Sequence, residues 1–219
     1  MSIIMEHNKL SRTPLPRIFL ISSGEEDPDH NIRLAMQLSR LPRSISCMVQ
    51  IREKQLDSRQ LLALALEMRQ VDLPEGTLLL VNERIDIALA ASLDGVHLPE
   101  SACSPDKLRP VAPKLIFGCS VHSQKSLSIA EESGADYLLF GPVFDTPSKR
   151  RYGAPQGVKK LGELCRTTKL PVFALGGITP DSASRCMEAG AYGIAALSIF
   201  QDPSRFVETI EQFHHIISP

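Results

Sequence analysis

The segment PVFALGGITPDSASRCMEAGAYGIAALSIF, residues 171–200, contains two short apolar runs separated by a polar stretch that favours a helix. The first run ends in the glycine pair Gly176 and Gly177. Thr179, Pro180 and Asp181 follow, and these residue types are typical of a helix start. The second apolar run covers residues 191–198. The segment therefore predicts a strand, a helix and a second strand, which is the repeating unit of a parallel sheet.

The same alternation extends over the rest of the chain. Six apolar runs precede residue 171, and a helical stretch or a polar loop follows each of them: RIFLIS, SISCMVQIREK, TLLLVN, DGVHL, LIFGCS and ADYLLFG. Eight strand–helix units predict an α/β fold, a single-domain (β/α)₈ TIM barrel over residues 17–219 with an N-terminal extension of residues 1–16. An open doubly wound sheet is the alternative, but no glycine-rich dinucleotide turn follows the first strand.

Composition narrows the class of protein. The 219 residues are 43% hydrophobic and 22% charged, and the formal net charge is -1. This balance favours neither a nucleic-acid partner nor a membrane surface. The five cysteines are scattered without a C-x-x-C pair, as expected of reduced thiols. With neither a signal-peptide pattern nor an apolar run of membrane-spanning length, we expect a cytoplasmic protein.

The stretch VQIREK, residues 49–54, closes the second predicted strand with three long polar side chains on one face. In a barrel, catalytic and binding residues come from the C-terminal ends of the strands. Alternation directs Val49 and Ile51 toward the helices and Gln50, Arg52 and Lys54 toward the barrel mouth. Because arginine and lysine are hydrogen-bond donors only, the pattern predicts an anion site there.

The last two strands end in residues suited to a phosphate group. Gly176 and Gly177 allow the backbone to approach an anion closely, and the helix that follows adds N–H donors. Leu197 and Ser198 end the next strand. Since the loops after strands seven and eight commonly form the phosphate site of such barrels, we expect a phosphate to bind there.

Proton-transfer candidates are few. Ser120 and His122 end the fifth predicted strand, and histidine is the side chain best suited to proton transfer near neutral pH. His97 is a second candidate, but alternation alone does not establish whether it points into the barrel. Lys149 lies in a long polar loop that suits a mobile lid more than a plain connection.

Together these motifs resemble the superfamily of thiamine phosphate synthase and its TenI relatives. The resemblance spans nearly the whole chain and rests on motifs in a fixed order: QIREK, VNERIDIALA, DGVHLPE, GCSVHS, ADYLLFGPVFDTPSK, APQG, ALGGIT and GIAALSIF. It implies a role in making thiamine, with a phosphorylated thiazole as ligand. It also implies a homodimer as a possible assembly.

The superfamily has two branches with different chemistry. The synthase joins a pyrimidine diphosphate to a thiazole phosphate, releases pyrophosphate and requires Mg²⁺. The TenI branch shifts a proton in a dearomatised thiazole carboxylate phosphate and uses no metal. The resemblance implies substrate contacts at Gln50, Arg52, Lys54, Asn82, Ser120, Thr146, Ser148 and Lys149, and phosphate contacts at Gly176, Gly177, Leu197 and Ser198.

The choice between the branches depends on one departure. Glu83 stands where the synthase has its first Mg²⁺ aspartate, but Ala102 occupies the position of the second. Because losing a carboxylate weakens a Mg²⁺ site, the sequence favours a TenI-like thiazole tautomerase, an isomerase without a cofactor in which His122 moves the proton. The Mg²⁺-dependent synthase, with Glu83 on the metal, is the first alternative. A non-catalytic regulator that binds thiamine intermediates is the second.

Overall fold

Every described strand pairs in parallel with the next one in sequence, and the last pairs with the first. The structure, a computed structural model, describes residues 14–22, 24, 30–146, 154–200 and 202–218. Within these ranges the barrel strands are β1 Ile18–Ile21, β2 Met48–Ile51, β3 Leu78–Asn82, β4 Gly95–Leu98, β5 Ile116–Val121, β6 Tyr137–Phe140, β7 Val172–Leu175 and β8 Gly193–Ala196. The predicted (β/α)₈ barrel is confirmed.

A helix follows each strand on the outside of the barrel. The helices are α1 His30–Leu38, α2 Ser58–Gln70, α3 Ile85–Ala90, α4 Pro105–Leu108, α5 Gln124–Glu132, α6 Gly157–Cys165, α7 Pro180–Glu188 and α8 Phe206–Ile217. A 3₁₀ helix, Ser198–Phe200, lies between β8 and α8. Among the described helices, none combines the length and the apolar character that crossing a membrane would require.

Local capping chemistry explains where two of these helices begin. The Asp57 side chain accepts a hydrogen bond from the Gln60 backbone N–H at the start of α2, and the Gln60 side chain accepts one from the Asp57 N–H. Thr179 and Ser182 make the same reciprocal pair at the start of α7. Each pair satisfies backbone donors that the first helical turn leaves without partners. The α7 pair thereby fixes the turn that follows Gly176 and Gly177.

The hydrophobic core has two layers, which follow from the twofold alternation of the strands. Outward side chains such as Val49 and Ile51 pack against the helices. Inward side chains fill the barrel interior, with Phe19, Tyr137 and Phe173 at its centre. Phe19 and Phe173 each contact the Tyr137 ring edge to face, at centroid distances of 5.6 and 5.5 Å. This packed interior closes the barrel below the mouth.

Candidate functional site

A cavity of about 390 Å³ opens at the C-terminal ends of the strands, above the packed interior. Eight residues predicted from the sequence line it: Gln50, Arg52, Lys54, Asn82, Ser120, His122, Gly176 and Leu197. Side chains predominate on the β2–β5 side, while Gly141 and Gly176 expose backbone on the β6–β7 side. The fold thus gathers residues that are more than 140 positions apart in sequence into one site.

A directed chain of hydrogen bonds links three polar residues at this mouth. The Glu83 carboxylate accepts from Asn82 Nδ2 at 2.9 Å, and Asn82 Oδ1 accepts from Gln50 Nε2 at 2.9 Å. Because an ionised carboxylate only accepts, it fixes the orientation of the Asn82 amide and, through it, that of Gln50. Gln50 is 1% exposed, and within the described residues its Oε1 has no partner. The site therefore holds a buried acceptor that is suited to an N–H or O–H donor of a ligand.

Glu83 adopts an uncommon backbone conformation directly after β3. Its φ is 59°, in the left-handed region that non-glycine residues rarely occupy. The Glu83 N–H donates to the His97 carbonyl at 3.0 Å, which ties the strained turn to β4. Glu83 lines a neighbouring cavity of about 290 Å³ together with Lys54 and Asn82. Strain of this kind is often retained where a side chain must be aimed at a functional site.

His97 points into the barrel, a direction that alternation alone did not establish. It is 2% exposed, and its two ring nitrogens contact Tyr137 Oη and Ser120 Oγ. Burial, together with the nearby charge of Arg52, lowers the pKa of His97 to about 3. The imidazole is therefore neutral at physiological pH. Tyr137 was not a sequence candidate, because an aromatic residue inside a strand is indistinguishable from ordinary core.

His122 lies at the rim of the same cavity. Its Nδ1 is 2.8 Å from the Gly141 carbonyl oxygen, which can only accept, so Nδ1 carries a proton. In the neutral ring, Nε2 is then left as an acceptor. Gln156 Nε2 donates to the His122 backbone carbonyl at 3.1 Å, and this contact connects β5 with the start of α6.

The predicted phosphate residues are grouped at the ends of β7 and β8. Gly176 and Gly177 have φ values of 98° and 63°. A Cβ at Gly177 would lie 2.6 Å from the Asp145 carbonyl oxygen, so the β6–α6 loop approaches the backbone as closely as only glycine permits. Ser198 begins the 3₁₀ helix and lines a separate cavity between α7 and α8. Thr146 is half-buried in the β6–α6 loop, whereas the predicted Ser148 and Lys149 lie outside the described residues.

The acidic residues at the mouth are few, which bears on any metal. Within the described residues, no group of three or more His, Cys, Asp or Glu side chains could hold an ion. Ala102 packs against the outer core and offers no side-chain oxygen. Glu100, two positions earlier, lines the main cavity. Mg²⁺ in enzymes is often held by one or two carboxylates together with substrate phosphate oxygens. Glu83 and Glu100 are carboxylates that line two neighbouring cavities at the mouth.

These features define a class: a (β/α)₈ barrel with a polar pocket that contains two cations at its C-terminal mouth and glycine turns after β6 and β7. The chain belongs to the thiamine monophosphate synthase family, whose model matches residues 18–200.

Individual relatives agree with this assignment. The chain is 41% identical over 186 residues to the "Putative thiamine-phosphate synthase 2" of Aquifex aeolicus, covering 85% of this chain and 98% of that protein. It is 41% identical over 151 residues to the thiamine-phosphate synthase of Methanocella arvoryzae, covering 68% and 71%. The thiamine phosphate pyrophosphorylase structure from Pyrococcus furiosus superposes with a TM-score of 0.77 at 28% identity, covering 92% of this chain and 95% of that one.

These findings correct two predictions. The relatives carry the names thiamine-phosphate synthase and thiamine phosphate pyrophosphorylase, so the prediction of a TenI-like thiazole tautomerase is wrong, and so is the isomerase class that it implied. The synthase alternative fits them better than either other hypothesis. That prediction gave too much weight to Ala102, because a metal that is shared with substrate phosphates does not require two protein carboxylates.

Proposed function

We propose that this chain is a thiamine-phosphate synthase, which joins a pyrimidine diphosphate to a thiazole phosphate and releases pyrophosphate. The observation that carries the proposal is the joint placement of Gln50, Arg52 and Asn82 in one cavity, opposite the glycine turns that follow β6 and β7. A reaction of this kind needs two anion sites and an oriented ring between them. Arg52 and Lys54 in the cavity suit one anion, and the turns after β7 and β8, whose residues Gly176 and Leu197 line the cavity, suit the other.

The diphosphate is proposed to bind at the two cations that follow β2. Arg52 is half-buried and Lys54 is exposed, and both line the cavity. As the bond to the diphosphate breaks, negative charge grows on the leaving oxygens, and preorganised cations stabilise that charge. Arg52 suits two phosphate oxygens at once, while Lys54 acts as a point charge. Lys149 is proposed to add a third cation from its loop.

Gln50 is proposed to orient the pyrimidine. Its Oε1 is a buried acceptor, so a phosphate oxygen, which is itself an acceptor, would not satisfy it. A donor N–H of the pyrimidine half would, and an analogue without that donor would leave the acceptor unpaired at a cost of about 1–3 kcal/mol. The hydrogen bonds between Glu83 and Asn82 and between Asn82 and Gln50 would keep the Gln50 amide in the orientation that selects this donor.

The thiazole phosphate is proposed to bind at the opposite end. Gly177 and Ser198 place backbone N–H groups at the ends of β7 and β8, where α7 and the 3₁₀ helix begin. This position separates the phosphate from the cations of β2. The two substrates would then meet over Ser120 and His122.

Glu83 and Glu100, which line neighbouring cavities, are the carboxylates that would hold Mg²⁺ in this reaction. Bound Mg²⁺ would supply positive charge against the diphosphate.

The decisive experiment is a product assay. Purified protein is incubated with both substrates and Mg²⁺, and thiamine phosphate and pyrophosphate are quantified. We expect equal amounts of both products, loss of both in EDTA and recovery when Mg²⁺ is restored. The absence of thiamine phosphate in the presence of Mg²⁺ would refute the proposal. Glu83→Gln is expected to raise the Mg²⁺ concentration needed for half-maximal rate by about tenfold, within the range found for metal-site residues.

A further inference from the structure

Three polar groups form a relay from the barrel interior to the floor of the cavity. Tyr137 Oη lies 3.1 Å from His97 Nδ1, and His97 Nε2 lies 2.9 Å from Ser120 Oγ. Tyr137 and His97 are 0% and 2% exposed, whereas Ser120 reaches the cavity. The relay therefore ends on a hydroxyl that a substrate can touch.

A glycine makes the relay possible. His97 on β4 is in register with Gly118 on β5, and Gly118 is in register with Tyr137 on β6. The two rings thus reach each other across a strand that has no side chain at that level. A Cβ at Gly118 would lie 2.3 Å from Tyr137 Oη, so any other residue would displace the tyrosine.

The direction of the hydrogen bonds decides what Ser120 offers to a ligand. If Tyr137 donates to Nδ1, then Nε2 carries the imidazole proton and donates to Ser120 Oγ, which leaves the serine O–H free to donate into the cavity. With the opposite tautomer, the Ser120 hydroxyl would donate to Nε2 and present only lone pairs to the cavity. The two arrangements have the same heavy-atom distances but opposite polarity.

Tyr137 selects the first arrangement. Burial raises the pKa of its hydroxyl well above the ordinary value, so the O–H proton is retained and must be placed on an acceptor. Within the described residues, His97 Nδ1 is the partner that the hydroxyl meets. A buried O–H with no acceptor would be costly, and the first tautomer avoids that cost.

We propose that Tyr137 and His97 are positioning residues that hold the Ser120 hydroxyl as a hydrogen-bond donor toward an acceptor atom of the pyrimidine diphosphate. The identity of that ligand rests on the proposed function. The polarity of the relay does not, and it can be tested separately.

The tautomer is measured directly by ¹⁵N NMR of protein labelled at histidine, with the His97 signals assigned from their loss in His97→Gln. We expect His97 Nε2 to be protonated and Nδ1 to be bare. A proton on Nδ1 would overturn the proposal, whatever the enzyme's activity.

A double-mutant cycle tests whether Tyr137 acts through Ser120. We expect Tyr137→Phe to lower kcat/KM about three- to tenfold, the size of one hydrogen bond, and Ser120→Ala to lower it further. In the Ser120→Ala background, Tyr137→Phe is expected to have no additional effect, because the group that it positions is gone. If the fold-losses in kcat/KM of the two single variants multiply in the double variant, Tyr137 has a structural role instead and the proposal is contradicted.

The chain provides a matched control and a rescue. Tyr192→Phe makes the same change at a hydroxyl that donates to the Leu15 carbonyl, outside the cavity, and is expected to leave kcat/KM unchanged. His97→Gln retains an N–H donor that can face Ser120, so it should keep more activity than His97→Leu.

The failure of the proposed function is distinguishable from the failure of the relay. If the wild type makes no thiamine phosphate, the cycle is repeated on the Kd for the pyrimidine diphosphate. Coupled changes in Kd, together with the expected tautomer, would support the relay alone. Uncoupled changes in Kd would reject it.

Discussion

The two halves of the barrel mouth present different kinds of groups to the cavity. Strands β2 to β5 present side chains, among them Gln50 and Asn82, which hydrogen-bond to each other, and Ser120, which hydrogen-bonds to His97. Strands β6 to β8 present backbone, with Gly176 and Gly177 packed against the β6–α6 loop. The side-chain half depends on hydrogen-bond polarity and charge, so a substitution there should change chemistry more than stability. The glycine half depends on close approach, so a substitution there should change stability as well.

Arg52→Ala tests the side-chain half and should have the largest effect. Arg52 is the half-buried cation of the cavity, and removing one preorganised donor from a developing anion lowers kcat by about 10²–10³-fold. We expect that loss in steady-state kinetics with both substrates, with little change in melting temperature. Arg43→Ala serves as the control, because Arg43 pairs with Asp72 on the surface and should leave kcat unchanged. A threefold loss or less at Arg52 would place the diphosphate elsewhere.

Gly177→Ala tests the glycine half, and Gly134→Ala is its control. Both glycines have positive φ, but a Cβ at Gly134 meets nothing within 4 Å, whereas a Cβ at Gly177 would lie 2.8 Å from Phe144 Cβ. We expect Gly134→Ala to cost about 1 kcal/mol of unfolding free energy, from the backbone conformation alone. Gly177→Ala should cost about 3 kcal/mol, because the clash adds to the strain. Urea unfolding measures both.

Equal losses of unfolding free energy in Gly177→Ala and Gly134→Ala would show that the β6–α6 loop moves away from the added methyl group at little cost. The backbone half would then be adaptable, and the contrast between the halves would be weaker than the structure suggests.

The sequence predicted the fold because periodicity and glycine placement act locally. Each apolar run and each cap, such as Thr179 before α7, is specified by neighbours in the chain. The alternation of neighbouring residues also predicted that Gln50 in β2 and Arg52 just after it face the barrel mouth. These predictions required only the twofold alternation of a strand and the rule that strand ends meet at the barrel mouth.

The remainder of the site depends on contacts between strands, which alternation does not reveal. The bond from His97 to Tyr137 requires Gly118 on the strand between them, and only the register shows that the three lie at one level. The left-handed turn at Glu83 has no glycine to indicate it. The branch was predicted wrongly because the prediction depended on Ala102, and a missing carboxylate at one position does not exclude a metal that substrate phosphate oxygens also coordinate.

The pH dependence of stability is a third test of the contrast between the two halves of the mouth. The side-chain half contains a buried titratable group, His97. The pKa of His97 is lowered from 6.5 to about 3 by burial and by Arg52. Below pH 6.5 the unfolded chain binds a proton that the folded protein does not, so the stability that His97 contributes is present above pH 6.5 and is lost as the pH falls toward 3. At about pH 5 the loss should be about 2 kcal/mol, from the slope of about 1.4 kcal/mol per pH unit.

His97→Gln isolates this contribution, because glutamine fills much of the same space and does not titrate. The groups that face His97 are Arg52, Tyr137 and Ser120, and of these Arg52 stays charged and Tyr137 stays protonated over the range measured. Urea unfolding from about pH 7.5 to about pH 5 should therefore show the wild type losing about 2 kcal/mol more than His97→Gln. His215→Gln, on exposed α8 surface, should follow the wild type. Parallel curves for wild type and His97→Gln would mean that His97 gains its proton in the folded state, in which case it could no longer hold the Ser120 hydroxyl through a neutral ring.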